Sequence, residues 1–397
     1  MKEKNKSMKT ADRMVQKGMA KAIKLLKMKQ GIKIEGEGSI CRIGQILSYE
    51  NRQKPFLVTG SHVSKTDFFL RIKNELKDCV VFDGVHPDPD VKLIEQMVTC
   101  YQEKGCDCLV AIGGGSSIDA MKACAARIMC PGKSLSQMKG LLKVRKKLPL
   151  MIAIPTTAGT GSECTIATVV CERNHKYAIN DPCLCPDYAI LDPCLSVSMT
   201  QTMSAYSGMD ALTHAIEGYI TAGAWELSDM FHIKAIEIIS RSLRSAVKNE
   251  KEGREGMALG EYVAGMGFSN VGLGIDHSMA HTLSAYYNTP HGKACAILLP
   301  TVMAFNADAS GEKYREIARV MGVDGVDEMN QEEYRKAAID AVAQLGKDVG
   351  IPADLKDIVK EEDIPNLAAD AYKDACTPGN PKEVTVEQIE ELFRSLI

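Results

Sequence analysis

No stretch of this 397-residue chain approaches the ~20 consecutive apolar residues that a helix needs to cross a bilayer, so an integral membrane protein is not expected. Aromatic residues are sparse, 5% with a single Trp, and no basic patch is interleaved with them. The formal net charge of -3 creates no field that would draw in a polyanion, so nucleic acid is excluded as the natural partner. The N-terminal stretch lacks the pattern of a secretory signal with its cleavage site. A cytoplasmic location is the expectation. Cysteine is not scarce, at fourteen residues, but it is scattered. Cys106/Cys108 and Cys183/Cys185 are one residue apart, which is neither a redox CxxC nor a zinc-ribbon spacing. Free thiols in a reducing compartment are expected.

What is present is enough chain for two domains, with the 45% apolar and 25% charged content of an ordinary globular protein. Residues 1–30 carry nine lysines and one arginine. Val15, Met19, Ile23 and Leu26 recur at helical spacing, which predicts a basic amphipathic helix over 10–29. It would either pack on the protein's own surface or serve as a docking segment for a partner, a membrane surface or a shell.

From about 35 to 195, short apolar runs alternate with helical stretches. KPFLVTG (54–60), CVVFDG (79–84), CLVAIG (108–113) and LPLMIAIP (148–155) read as strands buried on both faces. Helices are predicted between them, at 67–76, 91–104 and 116–128. After Pro193 strand-like runs nearly vanish, and helices are predicted at 205–220, 226–248, 253–265, 277–286 and 311–319. The expected organisation is an extension over 1–30, an α/β parallel-sheet dinucleotide-binding domain over 31–197, and an all-α domain over 198–397.

Two glycine-bearing loops follow strands in the first half. Ile112-Gly113-Gly114-Gly115-Ser116-Ser117 runs from a strand into a helix start, where the backbone can approach a phosphate and the helix dipole favours an anion. It lacks the last glycine of GxGxxG, and alone it could be no more than a tight turn. Pro155-Thr156-Thr157-Ala158-Gly159-Thr160-Gly161-Ser162-Glu163 is a second polar loop at a strand's carboxyl end, where ligands bind in open α/β sheets. Two such loops in one sheet favour a dinucleotide.

The second half carries a metal pattern. Asp210 and His214 lie four apart in a predicted helix, so both leave one face a turn apart. His277 opens another helical segment, and His291 follows the turn Asn288-Thr289-Pro290, so two helices and a loop could converge three imidazoles and a carboxylate. Three nitrogens and one oxygen suit zinc or iron(II) better than magnesium or calcium. Any one of these histidines alone would more simply be a satisfied core residue. As a set they predict a metal site.

GGGSSIDA, PTTAGTGSE, GMDALTHAIEGY and GLGIDHSMAHTLSAYYNTPHG together resemble the iron-containing (group III) alcohol dehydrogenases, and the resemblance spans about 35–397. It implies an α/β dinucleotide domain, a helical metal domain, and a homodimer. It implies hydride transfer between a nicotinamide cofactor and a small primary alcohol or aldehyde, with 1,2-propanediol/lactaldehyde or short-chain alcohols as candidates. Matched motif by motif, Asp210, His214, His277 and His291 fall on the ligands of an iron(II) ion, a site that zinc could also fill. His281 falls on a non-ligating histidine that would relay the hydroxyl proton. Gly114, Gly115, Ser116, Asp119, Thr156, Thr157, Gly159, Thr160, Lys176 and Leu195 fall on cofactor-contacting positions, and Phe268 and Cys376 in the substrate pocket.

Three positions depart from the family pattern. Gly60 stands where NAD-preferring members often carry an aspartate that holds the ribose hydroxyls, which removes repulsion against a 2′-phosphate. With Ser61, Ser64 and Lys65 beside it, the expectation leans to NADP(H) over NAD(H). Asp88 lies in Pro87-Asp88-Pro89 near the expected adenosine side, and an acid facing a phosphate there would be unfavourable. Ala167 replaces a pocket asparagine associated with lactaldehyde-reducing members, which leaves the substrate open. Two other classes compete. A lyase of the dehydroquinate synthase type would rely on a glutamate and two histidines, and a non-catalytic scaffold would need neither His281 nor the cofactor loops.

Overall fold

The computed structural model describes residues 30–172 and 175–397; the amphipathic helix predicted over 10–29 lies outside the described residues. Two compact units result, one ending at Met199 and the other beginning at Thr200.

The first unit is built on a six-stranded sheet. Its strands are β1 (Ile32–Glu35), β2 (Pro55–Gly60), β3 (Val80–Val85), β4 (Cys108–Gly113), β6 (Leu150–Pro155) and β9 (Tyr188–Leu191), ordered β1-β9-β6-β4-β2-β3. Every neighbouring pair is parallel. The continuous apolar runs follow from burial on both faces. On β4, Leu109 and Ala111 join one apolar cluster, while Cys108, Val110 and Ile112 join another. Helices α3 (Val91–Glu103) and α4 (Gly115–Met129) supply the first cluster, and α1 (Ile43–Tyr49) and α2 (Asp67–Glu75) the second.

Sequence periodicity overlooks five strands. β1 and β9 are four residues each; β1 has the mixed pattern Ile-Lys-Ile-Glu, and β9, Tyr-Ala-Ile-Leu, is apolar but short. β7 (Ala167–Glu172) and β8 (His175–Asn180) form an antiparallel pair that, with the two-residue β5 (Gly140–Leu141), makes a small separate sheet.

Among the described residues the second unit is helical. Its central helix, α5 (Gln201–Ile220), starts at Thr200, whose side chain accepts the Met203 N–H at 3.2 Å. Every residue from Gly208 to Ile220 is buried, so this helix lies inside the unit. Around it come α6 (Glu226–Val247), α7 (Lys251–Phe268), α8 (Ile275–Tyr287) and α9 (His291–Asn306), followed by α10 (Lys313–Val320), α11 (Gln331–Asp348), α12 (Ile364–Lys373) and α13 (Val386–Arg394). Asn288 takes the left-handed conformation, φ 51°, that ends α8.

The structure differs from the sequence expectation at His291, which is the first residue of a helix and not part of a loop. Pro290 precedes it as the N-cap, a place where proline's missing N–H costs nothing. Pro300 lies inside α9, and the helix continues through it to Asn306.

Candidate metal centre and cofactor loops

Helix α5 presents Asp210, His214 and Glu217 along one face, at spacings of four and three residues. Helix α8 brings His277 and His281, and α9 brings His291 and Cys295, again one turn apart. Asp210 Oδ1 lies 4.0 Å from His214 Nδ1, 3.8 Å from His277 Nε2 and 3.7 Å from His291 Nε2. Close approach of α9 to α5 requires Gly292, because a Cβ there would collide with the Tyr206 carbonyl.

Asp210 is 5% exposed and His277 2%, and neither Asp210 Oδ1 nor His277 Nε2 has a hydrogen-bond partner. Two buried, orphaned polar atoms aimed at each other are costly unless something else binds them. Separations of 3.7–4.0 Å between ligand atoms are close to the edge, about 3.4 Å, of a tetrahedron with ~2.1 Å bonds. The residues fit a divalent ion. Burial pushes Asp210 up to about 6 in the metal-free chain, with His277 pulling it back.

The other nitrogen of His277 is fixed by Glu217, a residue the sequence reading passed over within its own motif. Glu217 Oε2 accepts from His277 Nδ1 at 2.7 Å, and Oε1 accepts the Asp276 N–H at 2.7 Å. This hydrogen bond sets the tautomer so that Nε2 carries the lone pair. Burial lowers the His277 pKa, but the Glu217 bond and the charges of Glu217 and Asp210 outweigh it and raise the ring above its usual value.

His281 has a parallel partner. Its Nδ1 donates to Asp374 Oδ2 at 2.9 Å, and Asp374 Oδ1 accepts the Cys376 N–H at 2.8 Å. Burial raises Asp374, yet the His281 hydrogen bond and charge and the Cys376 N–H hold it below the usual carboxylate range. Cys376 therefore stands beside His281 and Asp374, the three offering ligand atoms within 4.8 Å of one another. Phe268, the last residue of α7, stacks on His214 with ring centroids 4.3 Å apart and planes 12° off parallel. Nothing in sequence spacing links Asp374 to a histidine 93 residues away.

In the α/β unit, parallel strands put the loops after β2, β4 and β6 at one end of the sheet, where open sheets bind ligands. Gly114 caps α4 and Gly115 and Ser116 begin it. Thr156 N–H bonds the Gly113 carbonyl at 3.0 Å, joining the two loops. A Cβ on Gly115 would stand 2.8 Å from the Thr160 methyl, so this glycine permits the contact between them. Thr157 lies against Gly114 in the same way, and Gly159 is buried between them in sequence. Gly60 ends β2, where its Cβ would meet the Val85 carbonyl at 3.1 Å.

Lys122, on α4, braces the second loop and was not foreseen. It is fully buried and donates to the Thr165 carbonyl at 2.9 Å, Thr165 Oγ1 at 3.0 Å and the Ala167 carbonyl at 2.8 Å. Asp119 Oδ2 accepts the Val169 N–H at 3.2 Å, tying the same helix to β7; burial pushes its carboxyl up to about 6 against the pull of Lys122. Lys176 Nζ pairs with Asp88 Oδ1 at 2.7 Å, which neutralises the acid in Pro87-Asp88-Pro89. Leu195 is 2% exposed and packs in the apolar cluster with Ile190.

None of the fourteen cysteines is in a disulfide. Among the described residues no helix is long and apolar enough to cross a membrane.

Comparison with known proteins agrees with this chemistry. Residues 32–193 match the iron-containing alcohol dehydrogenase family, and residues 204–397 match the C-terminal part of the Fe-containing alcohol dehydrogenase family. The chain is 46% identical over 368 residues to the lactaldehyde reductase of Escherichia coli K12, covering 91% of this chain and 96% of that protein. It is 34% identical over 371 residues to an NAD-dependent methanol dehydrogenase of Bacillus methanolicus, covering 91% and 97% respectively. A solved 1,3-propanediol oxidoreductase superposes with a TM-score of 0.89 at 33% identity, over 94% of this chain and all of that one. With both halves matched and these relatives aligned almost end to end, the chain is an oxidoreductase that belongs to the iron-containing alcohol dehydrogenase family.

Proposed function

We propose that this protein is a metal-dependent aldehyde reductase and alcohol dehydrogenase in which Asp210, His214, His277 and His291 hold iron(II), with zinc able to take the same place. The orphaned, buried pair Asp210 Oδ1 and His277 Nε2 carries this reading. When bound, the ion supplies Lewis-acid polarisation of the substrate oxygen and the nicotinamide supplies or accepts the hydride. The protein's own residues do the rest. Glu217 holds the His277 ring so that its lone pair faces Asp210. Asp374 holds His281 with Nδ1–H engaged, leaving Nε2 to take the hydroxyl proton in oxidation and return it in reduction. Phe268 against His214 presents an apolar wall that suits a short carbon chain and excludes water.

The substrate is a small aldehyde or primary alcohol, with lactaldehyde and 1,2-propanediol the first candidates, given the 46% identity to a lactaldehyde reductase. The cofactor is read from the loops. Gly113 to Ser116 and Thr156 to Thr160 hold the pyrophosphate, and Gly60 leaves room and no negative charge where a 2′-phosphate would lie, so NADP(H) is preferred over NAD(H). The NAD-dependent relative means that family membership does not decide this point; the support for NADP(H) is Gly60. Fourteen cysteines, none in a disulfide, suit a reducing cytoplasm.

The test is anaerobic. Apoprotein is loaded with iron(II) and initial rates of lactaldehyde reduction are compared with NADPH and NADH. Faster turnover with NADPH supports the whole reading. Faster turnover with NADH keeps the enzyme class and discards the Gly60 argument, and no turnover with either rejects lactaldehyde as the substrate.

A further inference from the structure

One donor group in the helical unit includes a residue that the motifs do not suggest. Asp210, His277, His291 and Cys295 offer one ligand atom each, all within 4.8 Å of one another. Cys295 follows His291 by one turn of α9, and its Sγ lies 3.7 Å from His291 Nε2. The residue is fully buried, so it is not an exposed thiol that happens to swing past. His214 approaches the same group from the other side, with Nδ1 4.0 Å from Asp210 Oδ1 and its ring against Phe268.

We propose that Cys295 is a further ligand of the metal ion, contributing a thiolate beside the Asp210 oxygen and the His214, His277 and His291 nitrogens. Packing alone would be served as well by alanine or valine at this place in α9. A sulfur in reach of a buried oxygen and a buried nitrogen that lack partners is a donor where a donor is wanted. Binding is a proton exchange, not a redox step: the S–H bond breaks, the proton leaves to solvent and the sulfur lone pair binds the cation. A thiolate added to three imidazoles and a carboxylate makes the set softer, which favours zinc over iron(II) beyond the general affinity order. The inference rests on the metal reading given above and refines the ligand set.

X-ray absorption at the zinc edge tests it on the intact protein loaded with one equivalent of zinc. The expected result is a sulfur shell at ~2.3 Å beside nitrogen and oxygen at ~2.0–2.1 Å. In Cys295→Ser the sulfur shell should vanish while zinc remains bound. A wild-type spectrum with only nitrogen and oxygen overturns the role of Cys295 and leaves the metal site standing. A sulfur shell that persists in Cys295→Ser overturns it equally, since another cysteine would be its source. Failure of the wild-type chain to take up one equivalent overturns this inference and the metal reading together.

Discussion

Glu217 Oε2 accepts a 2.7 Å hydrogen bond from His277 Nδ1, while the opposite nitrogen of the same ring faces Asp210 Oδ1 at 3.8 Å. The carboxylate thus lies one step behind the proposed metal centre, where it would aim a ligand at the ion. Glu217→Gln keeps the size but loses the charge and can no longer accept on both oxygens. The expected outcome is a fall in metal affinity of about 10–100-fold, read by competition with a chelator, with the fold retained. Unchanged affinity would show that the His277 ring is held by packing alone.

His277 and His281 sit on one helix one turn apart but are given different work. His277→Ala should lose the metal. His281→Ala should retain one ion per chain and slow turnover by about 10²–10⁴-fold. Metal content measured beside kcat separates the two, and equal metal loss in both variants would refute the assignment.

Gly60→Asp places a carboxylate at the carboxyl end of β2. Repulsion of a 2′-phosphate should lower kcat/KM with NADPH relative to NADH by at least about tenfold, or ~1.4 kcal/mol. The strand end must also give by a few tenths of an ångström, because the new Cβ would stand 3.1 Å from the Val85 carbonyl. The kcat/KM ratio of the two cofactors is the readout, and an unchanged ratio would remove Gly60 from the specificity argument.

His232 on α6 is a stability element of another kind. It is fully buried, fills notches left by Gly218 and Gly267, and neither ring nitrogen has a hydrogen-bond partner. Burial, with Lys313 nearby, pushes its pKa down to about 3. An unfolded chain takes up this proton near pH 6.5 and the folded one does not, so stability falls as pH drops from about 6.5 towards 3, by up to ~1.4 kcal/mol per pH unit. Buried carboxyls such as Asp119, raised to about 6, act with the opposite sign, so the wild-type curve alone is ambiguous. The difference between wild type and His232→Leu isolates the effect. Urea midpoints across pH should show the variant losing less stability on acidification, and parallel curves would contradict it.

Much of this was legible in the sequence because local spacing carries it. Asp210 and His214 are four apart in a helix, and the strand-loop-helix run around Gly115 and the strand-loop run around Thr156 announce themselves by apolar runs that end in glycine and threonine. The unread parts depend on tertiary placement. Asp374 reaches His281 across 93 residues, and Lys122 finds its carbonyl partners 43 and 45 residues on, at distances that no periodicity encodes. Glu217 was in plain view in the motif, but helical spacing alone does not say which of several acids turns inward. Helix α9 was hidden by the proline that precedes it. Pro290 before it reads as part of a turn, so His291 looked like a loop residue and Cys295, one turn on, went unweighed.

The most direct measurement of the central claim is aldehyde reduction by the metal-free protein before and after titration with iron(II) under anaerobic conditions. The account predicts no turnover without metal and recovery that saturates at one ion per chain, with Asp210→Ala neither binding the ion nor recovering. Turnover by rigorously metal-free protein at the rate of the loaded enzyme would contradict it.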